Sequence, residues 1–322
     1  MRTDTRTNQP RPGSPATGRP AGPKADSTDP GRRNPSRRNP DRRRGPNKGI
    51  LYLFGALFAL LVLLPVGYMF LVALQPIEVA GSTLVPERLS LTAFLDVWKT
   101  IDLAGYLGNS LIISSVTAVA SSLVGFGAAY VLARFRFRFR NFLRLSLLAC
   151  YTTPGIVLLI PMYVIYVQIQ NALSVQIIGS QGLLILTYMS FSLPYTIWML
   201  SGYLSTLPAD IEEAAAIDGA SRFQTLVKIV LPLTLPALVV TAIFSFVLAW
   251  NDVLFASVLT NNDTRTVGIG MQLFVSTAAD GGLPQWNNLM AASIITAVPA
   301  VVLFMLIQRY LISGLTAGSV KG

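Results

Sequence analysis

Residues 51–74 read LYLFGALFALLVLLPVGYMFLVAL, without a single charged side chain. The hydrocarbon core of a bilayer is about 30 Å thick, and about 20 apolar residues in a helix cross it. Inside lipid a backbone must satisfy its own N–H and C=O groups, which leaves a helix as the solution for an isolated run. Five further runs of this kind follow. The spans are expected at about 50–74, 107–133, 145–169, 182–204, 231–250 and 287–308. The fold class expected is therefore an all-α polytopic membrane protein with six transmembrane helices.

The runs differ in character. The second contains SSVTAVASSLVGFGAA (114–129), a crowd of small residues that lets helix backbones approach closely, so this span is expected to face other helices rather than lipid. Pro65, Pro154, Pro161, Pro194, Pro236 and Pro299 fall within spans and are expected to kink them. No Asp, Glu, Lys or Arg lies within the core of any expected span, which argues against proton coupling. The polar side chains left to hold a solute there include Asn109, Ser114, Ser115, Ser121, Ser122, Gln168 and Ser192. Residues of these types more often serve helix–helix hydrogen bonds.

Charge sets the orientation. Of 25 Lys and Arg, 13 lie in residues 1–49. With the N-terminus placed in the cytoplasm, 22 fall on the inside and only Arg88, Lys99 and Arg265 outside. Both termini are thus expected in the cytoplasm of a bacterial cell, with the chain multi-pass in the plasma (inner) membrane. Residues 1–49 hold nine prolines and almost no large apolar side chain, so they are expected to be a disordered basic cytoplasmic tail, with anionic lipid headgroups rather than nucleic acid as its partner. The alternation RFRFRFR (134–140) follows a span directly and is expected to anchor it, Arg at the headgroups and Phe in the interface.

Several chemistries are excluded. There is no histidine and one cysteine, Cys150, expected to be a small buried hydrophobe. An internal disulfide, a His/Cys metal site and a His-based triad are all ruled out. No phosphate loop of the G-x-x-x-x-G-K-[ST] form occurs. The chain reads as a transport subunit, not an enzyme, with no cofactor and no energy source of its own.

One stretch breaks the apolar pattern: LPADIEEAAAIDGAS, 207–221. Asp210 is expected to cap a short helix, with Glu213 completing a capping box and Glu212 and Glu213 favoured at the positive end of its dipole. Ala214, Ala215 and Ala216 make that helix slim and stable. Gly219 is expected to take a left-handed conformation that ends it. A second helix is expected after Ser221, running to Pro232 at the fifth span. Residue chemistry leaves two readings of this elbow about even: an ordinary surface helix, or a docking element for a partner.

The spacing from Glu213, Ala214 and Ala215 through Gly219 to Ile229, Leu231 and Pro232 resembles the signature loop of the permease subunits of binding-protein-dependent ABC importers, in their carbohydrate (maltose-type) branch. The segments LPYTIWMLSGYLSTLPADIEEAAAIDGAS, AAYVLARFRFRFR and QRYLISGLTAGSVKG are similar to the same family, and together they draw in most of residues 50–322. The resemblance implies the type I ABC importer permease fold. It makes 208–230 a coupling loop, with Glu213, Ala214, Ala215, Asp218 and Gly219 docking on a cytoplasmic ATPase dimer. It implies that Gly314, Thr316, Gly318, Lys321 and Gly322 form a tail facing that dimer. ATP would be bound by the partner. A second permease subunit would complete the pathway, and an extracytoplasmic solute-binding protein would meet the outer loops 75–106 and 251–286. Two alternatives stay open, a permease for a non-sugar solute and a self-contained carrier; a membrane scaffold with a working basic tail is a third. Substrate residues are not assigned.

Overall fold

The structure is a computed structural model and describes residues 48–83, 88–279 and 285–317. Residues 1–47 of the expected tail, and Gly318, Lys321 and Gly322, lie outside the described residues. Twelve α-helices follow one another among the described residues: α1 (Lys48–Ala73), α2 (Thr92–Thr100), α3 (Leu103–Arg134), α4 (Arg140–Thr152), α5 (Gly155–Leu173), α6 (Gln181–Thr206), α7 (Asp210–Ile217), α8 (Arg222–Thr225), α9 (Leu231–Asn251), α10 (Leu254–Leu259), α11 (Val267–Ala279) and α12 (Trp286–Ala317). A π turn, Leu226–Val230, joins α8 to α9. Two compact units divide the chain, Met1–Leu57 and Phe58–Gly322. In the first, the described residues Ile50–Leu57 are the exposed apolar start of α1. The helix packing and the site described below lie in the second.

Among the described residues, six helices are long and apolar enough to cross a membrane: Gly49–Ala73, Leu103–Arg134, Gly155–Leu173, Gln181–Thr206, Arg222–Asn251 and Trp286–Gln308. At the core, α3, α6 and α9 pack on one another. The buried face of α3 runs through Ser110, Ser114, Thr117, Ser121, Gly125 and Ala129, at helical spacing. Its opposite face carries Leu111, Ile112, Val116, Val119 and Leu123, all exposed. These five large apolar residues thus point away from the core, while the small polar ones line the packed face, with Ile113 and Phe126 buried beside them. Lipid is as apolar as leucine, so close backbone packing decides which face is buried. A Cβ on Gly125 would stand 2.5 Å from Thr196 Cγ2, which measures how near α3 and α6 approach. Between them the Ser121 and Ser192 hydroxyls share a 2.6 Å hydrogen bond, and Tyr166 and Thr187 one of 2.9 Å between α5 and α6.

Of the polar candidates in the spans, Ser114, Ser121, Ser122 and Ser192 are buried at helix contacts, while Ser115 and Gln168 are exposed. Asn109 is a tie: its amide donates to the carbonyls of Asp263 and Arg265 and accepts from Gln181. Cys150 is exposed, contrary to the expected buried position; it lies on a helix that buries none of its side chains.

Three segments depart from expectation. The run 145–169 is two helices. Pro154 lacks an N–H and pushes Thr153 into an extended conformation (ψ 125°), which ends α4. The Thr152 and Thr153 hydroxyls both donate to the Ala149 carbonyl at this break. The fifth span starts earlier than 231, because α8, the π turn and α9 form one run of 30 residues, Arg222–Asn251. There the Leu231 N–H reaches back five residues to Leu226, and the wider turn admits Pro232. Finally, part of 251–286 is helical and packed on the bundle. The short helix α10 packs on α5 and α6, which brings Asp252 against Tyr188.

Candidate functional site

The acidic stretch folds as a tight elbow at the end of the bundle where α3 and α6 finish. Helix α7 opens without a side-chain cap. The N–H groups of Glu212 and Glu213 both donate to the Ala209 carbonyl, at 2.9 and 3.1 Å, so Ala209 is the first helical partner and Asp210 already lies within the helix. The expected capping box between Asp210 and Glu213 does not form. The capping box of this region belongs instead to α8: the Ser221 hydroxyl accepts from the Gln224 N–H (3.3 Å), and the Gln224 side chain accepts from the Ser221 N–H (2.9 Å). The S-x-x-Q spacing of Ser221 and Gln224 was legible as such a box.

Gly219 has φ +82°, as expected for the residue that ends α7. Its N–H donates to the Ala216 carbonyl and that of Ala220 to the Ala215 carbonyl, the paired bonds that close a helix through a left-handed residue. No atom lies within 4 Å of a Cβ placed on it, so only the backbone conformation demands glycine here.

The elbow is fastened to the bundle by Glu212. Its Oε1 lies 2.6 Å from Arg134 Nε, and its Oε2 accepts from the Tyr130 hydroxyl at 2.8 Å. Arg134 also donates to the Leu207 carbonyl, which holds the chain where it leaves α6. Arg140 and Arg144 reach the carbonyls of Leu132, with Arg140 also reaching Ala133, at the end of α3. Arg222 stands 5.6 Å from the Phe135 ring centroid. The RFRFRFR stretch is thus only partly a headgroup anchor: Arg134 and Arg140 are spent on internal carbonyls and a carboxylate. An arginine at the end of a span, facing an acidic segment, was the signal available in the sequence for this bridge.

The residues of the signature spacing divide by face. Ala215 is buried, and Val230 joins Leu200, Leu204 and Ala237 in the core beneath, with Leu226 and Leu231 packed on it. Ile229 is half-buried. Glu213, Ala214, Asp218 and Gly219 are exposed. Around them stand two large apolar side chains, Ile217 at 86% exposure and Phe223 at 73%. Pro232 sits in the first turn of α9. Gly314 and Thr316 fall in α12. Among the described residues no three His, Cys, Asp or Glu side chains gather as a metal site would require.

Comparison with known proteins gives the following. A family model described as "Binding-protein-dependent transport system inner membrane component" matches residues 121–316. The inner membrane ABC transporter permease protein YcjP of Escherichia coli is 34% identical over 275 residues, covering 83% of this chain and 94% of that protein. The trehalose/maltose transport system permease protein MalG of Thermococcus litoralis is 36% identical over 280 residues, covering 85% and 98%. Among solved structures, a bacterial ABC transporter involved in the import of the acidic polysaccharide alginate has a similar fold, with TM-score 0.65 at 19% identity over 81% of this chain and 95% of that one.

Proposed function

The chain belongs to the binding-protein-dependent transport system inner membrane components, the permeases of ABC importers, and on that premise we propose that it is one of two permease subunits of an ATP-driven sugar importer. The observation that carries the sugar reading is the 36% identity, over nearly the full length of both chains, to a permease of trehalose and maltose transport.

The partners follow from what this chain lacks and what it exposes. It carries no phosphate loop, so ATP is bound by a separate cytoplasmic ATPase dimer. The elbow is the joint to that dimer: Glu213, Ala214, Asp218 and Gly219 present a slim face flanked by Ile217 and Phe223. Such large apolar side chains, exposed together at a helix turn, favour a protein contact over water. The inward face is held rigidly by Glu212 and Ala215, so a push on the elbow is passed to α3 and, through the run Arg222–Asn251, to α9. The charge bias puts this end, and both termini, in the cytoplasm. The residues from Gly314 through Thr316 and Gly318 to Lys321 and Gly322 approach the same dimer. An extracytoplasmic solute-binding protein delivers the sugar to the opposite end.

Two states then suffice. ATP binding closes the ATPase dimer and favours an outward-open pathway; hydrolysis returns it inward. Coupling between the ATP site and the sugar site is reciprocal, with α7 as the mechanical link.

Affinity purification in mild detergent tests the reading. An ATPase, a second permease and a solute-binding protein are expected to co-purify, and uptake of maltose or trehalose is expected only when all are present. A chain that transports alone, without an ATPase, refutes it.

A further inference from the structure

Helix α4 packs on α6, yet it buries none of its side chains. Beside the contact lies a groove of about 800 Å³. Most of its wall is apolar: Leu132 near the end of α3, Leu145, Leu147 and Leu148 on α4, and Trp198 and Met199 on α6. The α6 wall runs from Trp198 to Thr206, the last residue of that helix. At 1.5 Å per residue this is about 12 Å, close to the roughly 15 Å of hydrocarbon in one leaflet. The groove therefore spans about one leaflet, from the end of α6 inward. The RFRFRFR stretch (134–140) leads directly into α4 at this same end.

Arg144 is the charged side chain in the lining, and no Asp or Glu among the described residues lines the groove with it. It is half-buried. One of its N–H groups donates to the Leu132 carbonyl at 3.3 Å. That carbonyl already accepts from Arg140 Nε at 2.8 Å, and Arg140 also reaches the Ala133 carbonyl. Arg140 thus caps the end of α3, and Arg144 duplicates it weakly. A guanidinium carries five N–H donors in a planar fork, so most of those on Arg144 have no acceptor among the described residues. Withdrawing a cation from water is costly unless an anion meets it. Asn141, one turn before Arg144, lines the groove as well and is exposed. Arg136 and Arg138, in the loop before α4, are exposed and bond to no described residue, so positive charge gathers at this end. The hydroxyls of Ser201, Ser205 and Thr206 in the wall donate to carbonyls of their own helix, which leaves little for a polyol to bind.

We propose that this groove holds an anionic phospholipid of the cytoplasmic leaflet, with its phosphate at Arg144 and Asn141 and one acyl chain along the wall between α4 and α6. The charge bias puts this end in the cytoplasm, where basic segments beside a span attract anionic lipid. An arginine fork takes two phosphate oxygens at once. The apolar wall takes the acyl chain, which a free phosphate ion does not have. The volume lies within the range of about 300–1,000 Å³ for small-molecule sites. The bound lipid supplies α4 with the packing that the chain itself does not provide.

The test uses the complete transporter purified in detergent, with native mass spectrometry to count retained lipid. Dioleoyl phosphatidylglycerol and dioleoyl phosphatidylcholine are the competing probes. The unmodified complex is expected to prefer phosphatidylglycerol about fivefold, the worth of one arginine at the membrane surface. Arg144→Gln keeps a donor for the Leu132 carbonyl and removes the charge; it is expected to abolish that preference. Gly202→Leu fills the groove, and a Cβ at Gly202 meets nothing within 4 Å, so the helix is not strained. It is expected to lower retained phosphatidylglycerol about fivefold or more, because the acyl chain loses its wall. Both variants are expected to keep the thermal midpoint of the lipid-free complex. If Arg144→Gln lowers that midpoint, Gly202→Leu alone decides. No preference in the unmodified complex, or a preference and retention unchanged in the variants, overturns the site. Displacement of the lipid by millimolar inorganic phosphate overturns it in favour of a free anion. Loss of the second permease from the Gly202→Leu complex, with lipid retention unchanged, overturns it in favour of a subunit contact.

Discussion

Arg134 Nε lies 2.6 Å from Glu212 Oε1, and this one bridge joins the last residue of a membrane-spanning helix to the helix proposed as the ATPase joint. Both side chains are less than one-fifth exposed, at 18% and 17%. Glu212→Ala leaves the guanidinium with one carbonyl partner and frees the elbow. It is expected to cost about 1–3 kcal/mol in thermal stability, as is Arg134→Ala. In a double-mutant cycle on the purified protein, the pair is expected to couple by about 1–2 kcal/mol. Strictly additive losses would show that the bridge does not act as a unit.

Ala214 and Ala215 are neighbours with opposite exposure. Ala214→Trp adds bulk to the outward face and is expected to abolish uptake while membrane insertion and thermal midpoint stay normal. Ala215→Trp overpacks a buried position and is expected to lower stability by about 1–3 kcal/mol as well. Unimpaired uptake in the Ala214 variant sinks the docking assignment.

Gly219 meets nothing within 4 Å where a Cβ would stand, so Gly219→Ala isolates the cost of φ +82°. A destabilisation of about 1–2 kcal/mol is expected from the conformation alone. A circular-dichroism melt of the purified chain measures it; no change would mean that the turn readjusts freely.

Gly125→Leu is expected to disrupt the α3–α6 contact, since even a Cβ would stand 2.5 Å from Thr196 Cγ2. The loss is expected at about 1–3 kcal/mol, with lower yield of folded protein in detergent. Gly127, with nothing within 4 Å of a Cβ, serves as the control: Gly127→Leu should be tolerated.

How far the sequence reached varies by element. The small-residue run 114–129 marked α3 as a buried helix, and the structure packs it against α6 and α9. The turn at Gly219 and the start of α8 after Ser221 were legible because turn and cap chemistry acts over three or four residues. The cap assigned to Asp210 was not found: Ala209 begins the helix, and the acid that matters is Glu212, whose partners Tyr130 and Arg134 lie far away in sequence. Pro154 was expected to kink a span and instead divides it, because Thr153 and Pro154 both leave helical geometry.

Hydropathy, charge bias and short-range spacing are local properties, and they determined by themselves that this chain is a six-span helical membrane protein with an acidic elbow. The tertiary structure alone decided that Glu212 meets Arg134, that Ala214 faces out while Ala215 faces in, and that Asp252 meets Tyr188. Each of these depends on where backbones far apart in sequence are brought together, and helix packing in lipid is set by close fit between surfaces that no single segment contains.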